Sequence, residues 1–234
     1  MRSEPSAGWI EVLYKGVGIG SRLLARAQPG QVISLLGPIG KGFSVDPARP
    51  RVLAIGGGVG IPPMIFLVES LLTAHAGTAA WKPLVLMGSE IPFPFRARPS
   101  TILVPGLPDE AIACMPLLDG WGVPSRLATL AGYPGCFDGY VTDLARTWLG
   151  TLEPAQLNEV EIYACGPTPM LAATARLARG FGLPCQVALE EFMACAVGGC
   201  AGCAVAVTTP TGTAMKRVCV DGPVFDAATV FPPT

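Results

Sequence analysis

The chain has 234 residues, of which 50% are hydrophobic and 14% are charged, and its formal net charge is −1. A balance so close to neutral excludes the basic footprint of a nucleic-acid-binding protein and offers no attraction to an anionic membrane surface. The length allows one or two domains with a substantial core. Eight cysteines without a secretory leader predict a cytoplasmic protein whose thiols stay reduced and free to act as ligands.

Residues 1–48 are predicted to form a short β-rich part of the protein. An alternating strand over residues 9–14 leads into a glycine-rich turn, a helix that begins near Ser21 and a second strand over residues 31–36. Free amides at the start of that helix could bind an anion such as a phosphate. An ordinary loop would show the same glycines, so the turn alone does not decide between the two interpretations.

From Arg51 onward, strands and helices alternate, which is typical of a doubly wound parallel α/β sheet. A strand over residues 51–55 runs into a glycine-rich turn, and an apolar-periodic helix follows. Such a turn lets a pyrophosphate approach backbone amides at the positive end of the helix. The glycines predicted to do this are Gly56, Gly57, Gly58 and Gly60. Their spacing is not the strict G-x-G-x-x-G, so a turn needed only for packing stays an open alternative.

The α/β pattern continues to about residue 188. Further strands are predicted over residues 83–87, 101–104, 126–130 and 159–164, and helices over residues 141–149 and 168–181.

The last of these strands ends in the turn Cys165-Gly166-Pro167, and an α/β sheet places its ligands at the carboxyl ends of its strands. The Cys165 thiol could lie against a nicotinamide ring, although a cysteine in such a turn is often only a small residue. The single histidine, His75, is predicted to face solvent late in a helix, which argues against histidine-based acid-base catalysis.

Glu90 follows the second strand of the α/β pattern and could accept a hydrogen bond from a ribose 2′-hydroxyl, which favours NAD. Ser89, Arg96 and Arg98 could instead bind the 2′-phosphate of NADP.

Four cysteines near the C-terminus have the spacing of ligands to a 2Fe-2S cluster. Cys195, Cys200 and Cys203 follow the pattern C-x4-C-x2-C, and Cys219 comes after fifteen more residues. Structural zinc usually takes two C-x2-C-like pairs, and disulfides would need an oxidising compartment. The uncharged segment 192–214 is long enough to span a membrane, but its glycines, cysteines and threonines predict a ligand loop instead.

With these motifs in this order, the sequence resembles the electron transfer subunits of the type B dihydroorotate dehydrogenases, a family within the ferredoxin-NAD(P) reductase superfamily. The matching segments are Leu36–Phe43, Gly56–Pro63, Cys165–Pro167, Glu190–Cys203 and Val218–Phe225. The cysteine trio followed by C-x-D-G-P-V-F makes the resemblance specific.

The resemblance implies three regions: a partial FAD-binding barrel over 1–48, an NAD-binding ferredoxin-reductase-like domain over 49–188 and a 2Fe-2S domain over 189–234. It places Gly18, Gly20 and Ser21 at the FAD phosphates, Gly56–Gly60 at the NAD pyrophosphate and Cys165–Pro167 against the nicotinamide and flavin rings. The R-P-x-S flavin motif of the family has no match here. We therefore expect either a start upstream of Met1 or weak retention of FAD.

The function implied is that of an oxidoreductase subunit passing electrons between the cluster, FAD and NAD(H). A flavin fits between the other two because it exchanges either two electrons or one. The expected partner is an FMN-containing catalytic subunit that oxidises dihydroorotate in pyrimidine biosynthesis, in a hetero-oligomer without a membrane span. A reductase module serving another acceptor and a non-catalytic redox sensor remain alternatives.

Overall fold

The computed structural model describes residues 2–4, 6–74 and 81–233. His75, predicted to be solvent-facing, lies outside these residues. In chain order the elements are β1 (Arg2–Glu4), β2 (Trp9–Glu11), α1 (Ile19–Leu24), β3 (Arg51–Gly57), a 3-10 turn (Gly58–Gly60), α2 (Ile61–Ala74), β4 (Leu84–Gly88), β5 (Arg98–Pro99), β6 (Ala113–Cys114), α3 (Pro116–Gly120), β7 (Ser125–Thr129), β8 (Phe137–Asp138), α4 (Val141–Leu149), α5 (Pro154–Leu157), β9 (Val160–Cys165), α6 (Thr168–Phe181), β10 (Cys185–Ala188), β11 (Ala204–Thr209), β12 (Gly212–Arg217), β13 (Val224–Asp226) and α7 (Ala227–Val230).

A seven-stranded sheet organises the α/β part, with strand order β13-β10-β9-β3-β4-β7-β8. Neighbouring strands are parallel except for β13, which pairs antiparallel with β10. After β3 the chain builds the sheet outward through β4, β7 and β8, and then returns to the other side of β3 with β9. The strand order therefore reverses between β3 and β9, and the crevice at their carboxyl ends is where such a sheet binds ligands.

Helices cover both faces of the sheet, as the sequence predicts for a doubly wound fold. The side chains of α2 pack on one face with Val52, Val85 and Tyr163. The side chains of α4 and α6 pack on the other face. Strands β3 and β9 are buried along both faces, which fits their mostly apolar residues. The buried exception in β9 is Glu161, whose carboxylate accepts a hydrogen bond from the Gln186 side-chain amide at 2.8 Å.

The sequence predicts the bounds of α4 and α6 correctly, and β3, β4, β7 and β9 to within one or two residues. Two predicted strands, over 31–36 and over 101–104, are wrong, since neither segment forms a strand. The side chains of Val32 and Leu35 are largely exposed, so an apolar run there has no sheet to join. Residues 101 and 102 instead form bends shortly after β5, and residues 103 and 104 have no regular structure.

Residues 2–4 and 6–48 contain one two-stranded ladder, β1 with β2, and the short helix α1. Many apolar side chains are exposed here, Val17 and Ile19 among them. A barrel is not visible in this described part of the chain, and the flavin barrel stays a prediction.

This N-terminal part contacts the C-terminal region where two loops, one from each and distant in sequence, come together. The Lys41 amide donates to the Gly222 carbonyl at 2.6 Å, and a β-bridge pairs Lys41 with Pro223. Gly40 has a φ of +75°, and a Cβ atom added there would lie 2.6 Å from the Pro223 side chain. Two segments that carry the family resemblance, 36–43 and 218–225, are therefore parts of one contact.

None of the helices in residues 2–4, 6–74 and 81–233 combines the length and apolar character that crossing a membrane requires.

A buried carboxylate holds the irregular segment after β5 against α3. The carboxylate of Asp119 accepts hydrogen bonds from the hydroxyl groups of Ser100 (2.7 Å) and Thr101 (2.9 Å) and from the Arg98 guanidinium (3.2 Å). These hydrogen bonds, with that from Ser100 foremost, lower the pKa of Asp119 to about 2 although its burial acts in the opposite direction. The network satisfies the polar groups of residues 100–102, which is why that segment does not need a sheet partner.

We expect Asp119→Asn to lower the free energy of unfolding by about 2 kcal/mol at pH 7, because an amide cannot accept all of these hydrogen bonds. The pKa of Asp119 is lower in the folded protein than its ordinary value of about 4. Its contribution is therefore complete above pH 4 and is lost as the pH falls toward 2. Denaturant unfolding measures this: between pH 7 and pH 3 the free energy of unfolding should fall less in the variant than in the wild-type protein. Equal differences in the two proteins would contradict this.

Candidate nucleotide cleft and cysteine loop

A cleft of about 540 Å³ opens at the carboxyl ends of the central strands, at the point where the strand order reverses. It is lined by residues at or after the ends of β3, β4, β7, β8, β9 and β10 and by three residues of the N-terminal part. Among them are Lys15, Gly58, Glu90, Pro167, Met170 and Glu190.

Backbone atoms require a glycine at two of the four predicted positions, Gly56 and Gly60, and side chains crowd a third, Gly57. A Cβ atom added to Gly56 would lie 2.9 Å from Ile61 Cα, and one added to Gly57 would lie 2.5 Å from the Met170 sulfur. At Gly60 it would lie 2.6 Å from the Gly166 amide nitrogen and inside contact distance of the Cys165 carbonyl. The turns after β3 and β9 therefore come close together because Gly57 and Gly60 lack side chains, whereas Gly56 lets the chain after β3 fold back closely over Ile61.

Gly58 is different, because a Cβ atom there would meet nothing within 4 Å. Its φ of +55° is a conformation that other residues adopt only with strain. Gly57 and Gly58 both line the cleft. Packing thus accounts for Gly56 and Gly60, whereas Gly58 borders the cleft, and its contact with a pyrophosphate stays a prediction.

In the turn Cys165-Gly166-Pro167 after β9, Pro167 is the residue that lines the cleft. The Cys165 side chain is buried, and its thiol is not among the groups that line the cleft. Burial raises the pKa of Cys165 to about 12, and the nearby Glu190 carboxylate adds to the rise. Gly166 lies against the turn after β3, where an added Cβ would be 3.1 Å from Gly57 Cα. A contact of the Cys165 thiol with a nicotinamide ring stays a prediction. A buried, protonated thiol is what a residue that only packs in the core would show.

The charges at the cleft come from residues that are distant in sequence. Lys15 enters from the N-terminal part, Glu90 follows β4, and Glu190 follows β10. Sequence reasoning did not single out Lys15, Met170 or Glu190. No local signal marks them, since only the fold brings them to the ends of β3 and β9.

The residues predicted to bind FAD phosphates lie around the start of α1, and none of them lines the cleft. The Ser21 hydroxyl accepts hydrogen bonds from the Gly18 amide at 3.0 Å and from the Val17 amide at 3.1 Å. Gly20 is exposed. The structure therefore shows Ser21 capping its own helix, and a contact of these residues with FAD stays a prediction.

The cysteine loop runs from Cys195 to Cys203 and has no regular secondary structure. Backbone amides point at its sulfurs: Cys200 donates to Cys195 Sγ at 3.4 Å, and Gly202 donates to Cys200 Sγ at 3.4 Å. Across the hairpin of β11 and β12, the Cys219 amide donates to Cys203 Sγ at 3.5 Å. The fourth predicted ligand thus returns to the loop from the end of that hairpin.

Two alanines in this loop have left-handed backbone conformations, with φ of 58° at Ala196 and 54° at Ala201. Each follows directly after a predicted ligand cysteine. A left-handed conformation costs an alanine about 1–2 kcal/mol. Strain of this kind clusters at functional sites, and here it turns neighbouring amides toward the sulfurs.

The protonation of the thiols follows from these contacts. The Cys200 amide, with help from the Val197 amide and the Cys200 thiol, lowers the pKa of Cys195 to about 6. The Cys219 amide lowers the pKa of Cys203. Burial raises the pKa of Cys219, and the adjacent Cys203 thiol raises it further. At neutral pH, Cys195 is therefore mostly ionised, and the thiolate is the form that binds iron.

Within the described residues, no three side chains of the His, Cys, Asp and Glu types already enclose one point as a metal site does. The four thiols lie as two pairs, Cys195 with Cys200 and Cys203 with Cys219. The donor set nevertheless fits a 2Fe-2S cluster, because all four donors are soft sulfurs and amide groups already face three of them.

Known proteins resemble this chain both in the cysteine-rich region and in the overall fold. The family model for the iron-sulfur cluster binding domain of dihydroorotate dehydrogenase B matches residues 190–231, which include all four cysteines. A solved structure of an NADH-dependent reduced ferredoxin-NADP oxidoreductase, studied for flavin-based electron bifurcation, has a TM-score of 0.67 and 25% identity. The matched region covers 93% of this chain and 67% of the chain in that structure. The fold is thus that of a ferredoxin-NADP reductase-like oxidoreductase with an iron-sulfur binding domain.

The closer relationships are to curated proteins. The electron transfer subunit of dihydroorotate dehydrogenase B (NAD(+)) from Bacillus caldolyticus is 35% identical over 225 residues, which cover 95% of this chain and 74% of the relative. The corresponding subunit from Caldanaerobacter subterraneus subsp. tengcongensis is 33% identical over 221 residues, covering 94% and 74%. This chain belongs to the family of dihydroorotate dehydrogenase B electron transfer subunits.

Proposed function

We propose that the protein is the electron transfer subunit of a dihydroorotate dehydrogenase and passes electrons between a 2Fe-2S cluster, FAD and NAD(H). Its partner is a catalytic subunit that oxidises dihydroorotate, in a hetero-oligomer. The regions proposed for these tasks are 1–48 for FAD, 49–188 for NAD(H) and 189–234 for the cluster. Within residues 189–234, the proposed iron ligands are Cys195, Cys200, Cys203 and Cys219.

The observation that carries this proposal is the closeness of the nucleotide cleft to the cysteine loop. Glu190 lines the cleft and comes five residues before Cys195. The strand β13, which follows the last cysteine, pairs with β10 in the central sheet. Both ends of the cysteine-rich segment are therefore fixed to the edge of the sheet where a nucleotide would bind, so a cluster there is held near the cleft.

The residues of the cleft have the task of binding and orienting, since exchange of a hydride between nicotinamide and flavin demands no protein acid or base. FAD, when bound, supplies the conversion between two-electron and one-electron transfer. Leu13, Tyr14 and Lys15 line the cleft from the N-terminal part, which supports a role of this part in holding the flavin. Most of the lining surface of the cleft is apolar, which suits the binding of planar cofactor rings.

The cleft favours NAD over NADP. Glu90 lines it and is suited to accept from a ribose 2′-hydroxyl, whereas it would repel a 2′-phosphate. The hydroxyl group of Ser89 already donates to the Ile91 carbonyl at 2.7 Å. Arg98 is paired with Asp119, and neither Arg98 nor Arg96 lines the cleft. The two arginines that could bind a 2′-phosphate are therefore outside the lining, where the cation is Lys15 of the N-terminal part.

The protein, purified without oxygen, tests the proposal by its spectrum, its iron and flavin content and its affinity for NADH and NADPH. We expect about two irons per chain, flavin bands beside the cluster bands, and tighter binding of NADH than of NADPH. Copurification with a subunit that reduces the protein on addition of dihydroorotate would identify the donor.

Three results would overturn parts of the proposal. A colourless protein, or one whose metal is zinc, would remove the redox function. Cluster bands without flavin would favour a redox sensor. A copurified partner that ignores dihydroorotate would favour a reductase module for another acceptor.

A further inference from the structure

We infer that Arg217 positions the cysteine loop and sets the reduction potential of the cluster, and that Asp221 holds Arg217 in place. This inference rests on the proposed cluster site. It assigns a task to two side chains that bind no iron themselves.

The guanidinium group of Arg217 reaches from the end of β12 to the middle of the cysteine loop. Its Nη1 donates to the Gly198 carbonyl at 2.9 Å. Gly198 lies between the first two predicted ligands and has a φ of 82°, and an added Cβ would lie 3.1 Å from Val220 and 3.2 Å from Arg217. The loop has no regular secondary structure, so this contact is one of the few that fix it to the hairpin.

Asp221 orients the arginine from the other side. Its carboxylate accepts from the Arg217 amide at 2.8 Å and from Arg217 Nε at 3.4 Å. The Arg217 carbonyl in turn accepts from the Asp221 amide at 2.8 Å. This tight turn contains Cys219, and its far end is held by the Lys41–Gly222 hydrogen bond. Arg217 therefore connects the turn that carries the fourth ligand to the loop that carries the other three.

The charge of Arg217 has an electrostatic consequence. Gaining one electron makes a thiolate-bound cluster more negative, and a cation fixed beside it stabilises that reduced form. The neighbouring Asp221 partly offsets this charge, and solvent weakens it, because 44% of the Arg217 side chain is exposed. We expect the net effect to be a higher reduction potential than the cluster would have without the arginine.

Three variants of the complete chain separate these effects. Arg217→Gln keeps a hydrogen-bond donor but loses the charge. Arg217→Lys keeps the charge but loses the planar fork that contacts Gly198 and Asp221 together. Lys216→Gln is the matched control, since it removes the same charge from an exposed neighbour on the opposite face of β12.

The readouts are the midpoint potential, titrated with dithionite and followed by EPR, and the rate of iron release to a chelator. Arg217→Gln should lower the potential and speed iron release about tenfold, as loss of a group that supports metal ligands typically does. Arg217→Lys should keep the potential near that of the wild type while iron release is still faster. Lys216→Gln should leave iron release unchanged and shift the potential clearly less than Arg217→Gln does, because the Lys216 charge acts on Asp221 only weakly.

Unchanged potential and iron release in Arg217→Gln would overturn the inference, and so would an equal shift of potential in Lys216→Gln. Thermal unfolding followed by circular dichroism shows whether each variant keeps its α/β fold. A wild-type protein without a cluster would instead refute the proposed function, so the two failures are distinguishable.

Discussion

Gly60→Ala is expected to destabilise the protein severely and to abolish binding of NADH. The added methyl group would overlap the Cys165 carbonyl and lie 2.6 Å from the Gly166 amide nitrogen. These are backbone atoms of the turn after β9, so no change of side-chain rotamer can relieve the overlap. We expect a loss of about 3 kcal/mol or more in the free energy of unfolding, at the upper end of what overpacking costs.

The control for this variant is Gly180→Ala, which makes the same chemical change in the exposed part of α6. An alanine there would meet no atom within 4 Å. Alanine is the better helix former, so we expect an unchanged or slightly raised stability, by up to about 1 kcal/mol. Denaturant unfolding and NADH titration measure both variants. A Gly60→Ala protein as stable as Gly180→Ala would show that the two turns do not meet as described.

Cys200→Ser is expected to abolish the cluster while the α/β domain stays folded. Cys200 lies in an exposed loop, and its sulfur accepts only from the nearby Gly202 amide among the hydrogen bonds described. The sheet and its two apolar layers do not depend on it. Serine offers a hard oxygen in place of a soft sulfur, so we expect the iron content to fall about tenfold while the thermal unfolding of the domain is unchanged.

Cys136→Ser provides the comparison. Cys136 is partly buried, belongs to no ligand pattern and packs at the edge of the apolar layer between α2 and the central sheet. Its replacement should leave the iron content and the cluster spectrum as they are. Normal iron in the Cys200 variant, or equal loss of iron in both variants, would refute the ligand assignment.

The glycines of the cleft show where prediction from sequence stops. The pattern at Gly56–Gly60 locates a turn between a buried strand and a helix, but it does not separate packing from binding. That separation depends on Cys165 and Met170, which lie more than a hundred residues further along the chain. Cys165 shows the same limit, because its burial follows from the packing of β9 between two layers.

Two wrong strands have a similar origin. Residues 31–36 and 101–104 have suitable side chains, but a strand exists only where a partner strand accepts its hydrogen bonds. For residues 100–102 the buried Asp119 carboxylate takes that role. Whether a partner is present cannot be read from the segment itself.

The sequence by itself determined the alternating α/β pattern, the two turns at strand ends and the four cysteines, because each depends on residue types at short spacing. Only the tertiary structure decided which glycines face the cleft, that Lys15 and Glu190 both line it, and that Arg217 contacts the cysteine loop through Gly198. The physical reason is the range of the interactions. Periodicity and ligand spacing are local, whereas cleft walls and the supports of a ligand loop are contacts between segments that only folding brings together.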